Sequence, residues 1–141
     1  MKKTNAGIAF AVAGAFLLSS VPNVAFAQAN QPQTPPSVIA MRQKPKDYAN
    51  VTITYAYVPK QGYIAIHPSG RSGKMMSKVL GTKDLAPGPH RNFTVKLNTP
   101  VKPGEKLWAT LDQGTFTPGQ NTAKAFVRPS GRNVWQSFRI S

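Results

Sequence analysis

Short runs of alternating apolar and polar residues, separated by turns rich in proline and glycine, make up the chain from residue 51 onward. A period of two residues is typical of a strand with one buried face and one exposed face. In the first run, the predicted buried face comprises Val51, Ile53, Tyr55 and Tyr57. No window in this region has a convincing 3.6-residue period, so the pattern predicts a fold built from strands.

About seven short strands are predicted from this pattern. They are Val51–Tyr57, Tyr63–His67, Ser77–Leu80, Phe93–Leu97, Leu107–Leu111, Ala123–Val127 and Val134–Ile140. Turns are predicted at Pro59–Gly62, Pro87–Pro89 and Pro100–Gly104, and a long polar loop at Gly114–Asn121. This spacing predicts an all-β fold, an immunoglobulin-like antiparallel β-sandwich over residues 50–141. The predicted core residues are Ile64, Ile66, Val95, Leu107 and Leu111.

The first 27 residues have the pattern of a Sec-type export signal. Lys2 and Lys3 give a positive start, residues 6–21 form an apolar core, and Ala25–Ala27 supplies a small-x-small cleavage site. The apolar core is too short for a stable membrane span. No second apolar segment and no lipoprotein cysteine follows it. We therefore expect cleavage after Ala27 and a periplasmic or secreted mature protein without a transmembrane anchor.

Prolines interrupt the segment between the export signal and the first predicted strand. They are Pro32, Pro35, Pro36 and Pro45. Proline at this density blocks helices and central strands alike. Residues 28–49 are therefore predicted to form a flexible, extended arm before the sandwich domain.

Composition narrows the classes of partner. The chain has no cysteine, which excludes disulfides, zinc-thiolate sites, cysteine catalysis and blue-copper centres. Eighteen Lys and Arg face four acidic residues, and removal of Lys2 and Lys3 with the export signal leaves a net charge of about +12. This excess favours anionic partners such as lipopolysaccharide, other acidic envelope glycans or, non-specifically, nucleic acid. The alternative is that the charge only keeps the protein in solution.

A repeated tetrapeptide offers a candidate anion site. Pro68–Arg71 and Pro129–Arg132 both have the sequence Pro-Ser-Gly-Arg, which suits a type I turn. If the two turns lie at one end of the sandwich, their backbone N–H groups and neighbouring cations would form an anion cradle. Its predicted residues are His67, Arg71, Lys74, Lys78, Arg128 and Arg132. The alternative interpretation is two similar turns without a ligand.

Aromatic residues near cations suggest a related possibility. Tyr63, Trp108, Trp135 and Phe138 could act as stacking platforms for nucleic acid, although aromatic residues at sandwich spacing are more often core.

Copper binding is the competing hypothesis, since imidazole and thioether are copper ligands. Its candidate ligands are His67, His90, Met75 and Met76, with Met41 in addition. The sequence lacks a His-x-His pair and a Met-x-x-Met run, and neighbouring Met75 and Met76 would point to opposite sides of a strand. No resident cofactor is expected. With only four acidic residues and no Gly-x-Ser-x-Gly motif, an enzyme is not expected either.

Several segments match, in order, those of one family. They are Tyr57–Pro59, Gly62–His67, Val79–Gly81, Leu85–His90, Val95–Leu97, Leu107–Leu111 and Val134–Ile140. With these segments the chain resembles an uncharacterised domain of exported and surface proteins, mostly archaeal, that is classed as a domain of unknown function. The resemblance implies a β-sandwich and no known activity. Family members look acidic and carry a histidine after the strand that matches Leu107–Leu111, where this basic chain has Asp112.

The sequence thus predicts an exported, non-catalytic binding protein that contacts anionic envelope or extracellular polymers through a basic surface. The alternatives are a periplasmic copper-binding protein and a structural module without a ligand.

Overall fold

Eight β-strands and no helix are formed by residues 33–119 and 123–141, the parts of the chain that the computed structural model describes. The strands are β1 (Ser37–Ile39), β2 (Asn50–Val58), β3 (Gly62–Pro68), β4 (Gly81–Leu85), β5 (Gly88–Lys96), β6 (Lys106–Gln113), β7 (Lys124–Ala125) and β8 (Trp135–Arg139). Within these ranges there is no helix that could cross a membrane. The predicted export signal and residues 28–32 lie outside the described residues.

The strands form two antiparallel sheets. The first has the order β1-β2-β5, and the second has the order β4-β3-β6, with β7 and β8 both paired to the far edge of β6. β7 pairs with Asp112–Gln113, and β8 pairs with Lys106–Thr110. Residues of both sheets contribute to one buried apolar cluster. The predicted all-β, two-sheet fold is confirmed.

The core contains all five residues that the sequence assigned to it. Ile64, Ile66, Val95, Leu107 and Leu111 are each fully buried. They alternate with polar or outward-facing residues on β3, β5 and β6, as expected for strands with one face against the core. The alternation was a reliable guide on these strands.

On β2 the alternation misassigned part of the buried face. The prediction that Tyr55 and Tyr57 point inward is wrong, because Ala56 and Val58 are the buried residues there. The inward face changes opposite Asn92 of β5, a non-glycine residue with a φ of 47°. A left-handed residue in an edge strand alters the local twist, so the period of two does not continue through this point.

The segment predicted as a flexible arm includes a strand. β1 pairs with residues 55–57 of β2, and Val38 and Ala40 are buried in the core. The folded domain therefore begins before the predicted boundary at residue 50. Pro35 and Pro36 precede β1 and do not need to donate to a partner strand, so they do not prevent pairing of the residues that follow them.

Gln43 joins the two sheets beyond β1. Its side-chain amide accepts a hydrogen bond from the backbone N of Thr52 at 2.7 Å and donates to the Thr52 carbonyl at 2.9 Å. Its backbone N donates to Arg139 at 3.1 Å, and its carbonyl accepts from Ser141 at 2.7 Å. One glutamine thus pairs with β2 through its side chain and with the C-terminal strand through its backbone.

The predicted strand Ser77–Leu80 is wrong, since pairing with β3 begins only at Gly81. At Gly81 the chain passes so close to β5 that a Cβ would overlap the Lys96 carbonyl oxygen. Only glycine permits this approach. The predicted Pro87–Pro89 turn also ends early, because β5 begins at Gly88 and Pro89 belongs to this edge strand.

Two connections lie over the outer face of the five-stranded sheet, the face that points away from the core. The first, residues 69–80, joins β3 to β4 and is anchored by Ser69. The Ser69 hydroxyl donates to the Lys106 carbonyl at 2.8 Å and accepts from Trp108 Nε1 at 2.9 Å. The second follows β6, where Phe116 packs edge-to-face on Tyr63 with ring centroids 5.6 Å apart. Two cavities are formed between these connections and the sheet.

Candidate functional site

The outer face of β6 carries an unusual series of side chains. Lys106, Trp108, Thr110 and Asp112 occupy alternate positions and therefore point to the same side of the sheet. The residues between them are buried in the core. In sequence order the series contains a cation, an aromatic ring, a hydroxyl and a carboxylate.

The first two residues of this series, Lys106 and Trp108, form a groove with β8 and the first connection. The groove, of about 510 Å³, is lined by residues 72–75, Lys106, Trp108 and Trp135, and we call it the tryptophan groove. The two indole rings meet edge-to-face with centroids 6.1 Å apart. Lys106 Nζ lies 4.8 Å from the centroid of the Trp108 ring. Trp135 remains 43% exposed, so one indole is available to a ligand.

The two repeated tetrapeptides are not equivalent in the structure. In the first turn Gly70 N donates to the Lys74 carbonyl and Gly73 N donates to the Gly70 carbonyl. The second turn has the same pair of bonds between Arg128 and Arg132 and between Gly131 and Arg128. Each is a three-residue hairpin loop that contains a glycine of positive φ.

When the two turns are aligned by these hydrogen bonds, Ser72-Gly73-Lys74 matches Ser130-Gly131-Arg132, three residues out of step with the repeat seen in the sequence. Arg71 and Arg132 therefore occupy different positions in their turns. The glycine with left-handed backbone, not the proline, fixes the place of each turn.

The structure brings only some of the predicted cradle residues to one place. Lys74 lines the tryptophan groove. Arg128 donates from its guanidinium to the Trp135 carbonyl at 3.3 Å, so both turns reach this tryptophan. Arg71 and Arg132 are exposed. His67 and Lys78 take part in a separate arrangement beside the groove.

That arrangement is a cavity of about 470 Å³, which we call the Asp112 cavity. It lies over the C-terminal end of β6, between the two connections. Its lining residues are Tyr63, Ala65, His67, Ser77, Val79, Asp112, Gln113, Thr115, Phe116, Thr117 and Ala123. A carboxylate, an imidazole and several hydroxyl groups thus face the same space as two aromatic rings.

A chain of hydrogen bonds runs beneath this cavity. His67 Nδ1 donates to the Lys78 carbonyl at 2.9 Å, His67 Nε2 lies 3.2 Å from Thr110 Oγ1, and Thr110 Oγ1 lies 3.2 Å from Asp112 Oδ2. Thr110 has one hydroxyl proton and cannot donate to both neighbours.

Burial raises the pKa of Asp112, and the hydrogen bond from Thr110 and the charge of His67 only partly oppose this effect. Burial, together with the charge of Asp112, also raises the pKa of Tyr63. Asp112 is 8% exposed, and its carboxylate is destabilised wherever it lacks donors. The hydroxyl lies between the imidazole and the carboxylate, so the order differs from a nucleophile–histidine–carboxylate triad.

The substitution Asp112→Asn should raise the free energy of unfolding near pH 7. Asparagine keeps an oxygen that accepts from Thr110 but has no charge to desolvate. Because the folded-state pKa lies above the ordinary value of 3.8, the cost of the ionised carboxylate is present above the folded pKa and disappears as the pH falls through it. Urea denaturation should therefore show a gain near pH 7 that shrinks near pH 3. A gain of equal size at both pH values would contradict this origin.

The candidate copper ligands do not come together. His67 lies on the outer face of the five-stranded sheet, whereas His90 belongs to the three-stranded sheet and donates from Nε2 to the Ala86 carbonyl at 2.7 Å. Met75 lies in the first turn, and Met76 and Met41 are exposed. In the described ranges, no three histidine or acidic side chains are grouped so as to hold a metal ion.

The sequence also missed residues of these sites. Lys106 and Asp112 flank the predicted strand Leu107–Leu111 and share the phase of Trp108, a signal that could have placed them on one face. Of the four suggested stacking aromatics, Phe138 and Tyr63 are buried and Trp108 is half-buried. Only Trp135 offers a largely open ring.

Comparison with known proteins identifies a family and nothing closer. No curated protein and no solved structure gives a significant match to the chain. Residues 36–137 match a family described as Domain of unknown function (DUF7282). The matched region begins just before β1, earlier than the resemblance seen in the sequence, and covers strands of both sheets. The chain therefore belongs to the DUF7282 family of uncharacterised domains.

Proposed function

We propose that this domain is exported by the signal in residues 1–27 and binds acidic polysaccharides of the cell envelope or its surroundings in the tryptophan groove. The observation that carries the proposal is the exposed Trp135 with cations on either side of it. Lys74 and Lys106 line the groove, and the guanidinium of Arg128 is held at the Trp135 backbone. Acidic groups of the polymer would pair with these cations, and the C–H face of a sugar ring would stack on the indole.

Net charge and location support an acidic polysaccharide over other ligands. With eighteen basic residues against four acidic ones, the chain attracts polyanions at long range. Cleavage after Ala27 would place the protein outside the cytoplasm, where acidic glycans are abundant polyanions. The net charge and the export signal are properties of the sequence, whereas the groove is a property of the fold.

The test compares two double variants of equal net charge. Lys74→Ala with Arg128→Ala removes groove cations, and Lys46→Ala with Lys60→Ala removes exposed cations outside the groove. Titration of the mature chain with a galacturonic acid hexamer should show a loss on the order of tenfold or more for the groove pair. The control pair should lose much less.

Two further measurements test the proposal: the salt dependence of the affinity and the effect on binding of removing the exposed indole. Affinity should fall steeply as salt rises, because charge pairing releases counterions. Trp135→Ala should weaken binding without changing the net charge. Equal losses in the two double variants would replace the groove with a diffuse basic surface. No binding at low salt would overturn the proposal and favour a structural module.

A further inference from the structure

We propose that the Asp112 cavity is a second subsite, which holds one sugar ring of the polysaccharide through hydrogen bonds from its hydroxyl groups to Asp112. This inference rests on the proposed function of the neighbouring tryptophan groove. It assigns a role to the most deeply buried of the acidic side chains in the described residues. It also predicts an effect of charge removal that has the opposite sign to simple electrostatics.

The Asp112 carboxylate can accept more hydrogen bonds than the described residues donate to it. Among the described residues, Thr110 is the donor that reaches Asp112, and it reaches Oδ2 alone. In the same part of the chain, no fully buried side-chain nitrogen or oxygen lacks a partner. Oδ1 is therefore not fully buried, and because Asp112 lines the cavity, a ligand bound there can donate to this oxygen.

The rest of the cavity lining combines hydroxyl groups with aromatic rings. Ser77, Thr115 and Thr117 add hydroxyl groups, and the rings of Tyr63 and Phe116 add an apolar wall. Such a mixture of a few polar groups and aromatic rings, in a volume of several hundred Å³, is typical of small-molecule sites. A sugar ring presents hydroxyl donors at its edge and C–H groups on its face, and both match this lining.

A small cation is not the preferred occupant of the Asp112 cavity. His67 lines the same cavity as Asp112, and Thr110 links the two side chains. The strong positive charge of the whole chain further disfavours a cation. A neutral hydroxyl donor enters this site without bringing a charge.

The Asp112 cavity adjoins the tryptophan groove along the outer face of β6. Trp108 and Asp112 are four residues apart on the same face of β6, a distance of about 13 Å along a strand. His67 is the cross-strand neighbour of Trp108 and lines the cavity, so the two sites adjoin. A short oligosaccharide can therefore place acidic groups in the groove and one ring in the cavity.

The test uses Asp112→Asn and a matched control, Asp84→Asn. Asp84 is exposed on β4 and is the cross-strand neighbour of Tyr63, so both variants remove one negative charge from the same region. Each variant and the wild-type chain are titrated with the galacturonic acid hexamer and with a linear polyphosphate of equal charge. Polyphosphate has no sugar ring and no hydroxyl groups to donate along its chain.

Removal of a negative charge should tighten polyphosphate binding by up to about twofold in both variants. For the galacturonic acid hexamer, Asp84→Asn should again tighten binding, but Asp112→Asn should weaken it on the order of fivefold, because a hydroxyl donor loses its charged acceptor. Tighter hexamer binding in both variants would overturn the cavity subsite and leave the groove standing. A wild-type chain that binds neither probe at low salt would overturn the proposed function itself.

Discussion

Leu107→Ala should lower the free energy of unfolding by about 2–5 kcal/mol. Leu107 is fully buried on β6, the strand that pairs with β3, β7 and β8. Truncation removes apolar contacts and leaves a cavity that the surrounding strands cannot fill without shifting. Urea denaturation monitored by tryptophan fluorescence would give the change in stability.

The matched control for this truncation is Ile39→Ala. Ile39 is an apolar residue of similar size on β1 but is 44% exposed. Its truncation should change stability by no more than about 0.5 kcal/mol. If the two variants lost similar stability, the side chain of Leu107 could not be at the centre of the core.

Gly81→Ala should be the most damaging single-methyl addition in the described part of the sandwich. The added Cβ would overlap the Lys96 carbonyl oxygen and lie 3.2 Å from Leu97 Cδ2. Backbone cannot move aside as a flexible side chain can, so the cost should reach or exceed about 1–3 kcal/mol. Thermal unfolding should show a clearly lower midpoint.

Gly70→Ala provides the comparison for this addition. At Gly70 an added Cβ would meet its nearest atom at 3.7 Å, an ordinary van der Waals contact. Neither glycine has a positive φ, so the two substitutions differ mainly in the space available. A stable Gly81→Ala variant would show that the two sheets can separate at the start of β4.

The elements that the sequence predicted well are those whose structure depends on local pattern. The β3 and β6 strands lie in the interior of a sheet, and burial of one face imposes a strict period of two. β1 was missed because its three residues follow prolines and are too few to show a period of two. The start of β4 at Gly81, rather than at the predicted Ser77, coincides with the close approach to Lys96, which no local pattern contains.

The candidate site was less predictable because it depends on which residues meet across strands. The repeated tetrapeptide was visible in the sequence, but the positions of the left-handed glycines place one turn three residues out of step with the other. Trp108 and Trp135 were identified as aromatic residues near cations, yet their contact requires the pairing of β6 with β8. The link between His67 and Asp112 likewise requires the register of β3 on β6.

The edge strand β5 has a further consequence for the proposed binding of polymers. Pro89 lacks an N–H group, Asn92 has a φ of 47°, and the exposed Arg91 adds a charge between them. These features prevent a second chain from extending the three-stranded sheet along β5. Many copies bound along one polymer would be crowded together, which ordinarily promotes aggregation through exposed strand edges. A blunted β5 allows such crowding without fusion of neighbouring copies into a continuous sheet.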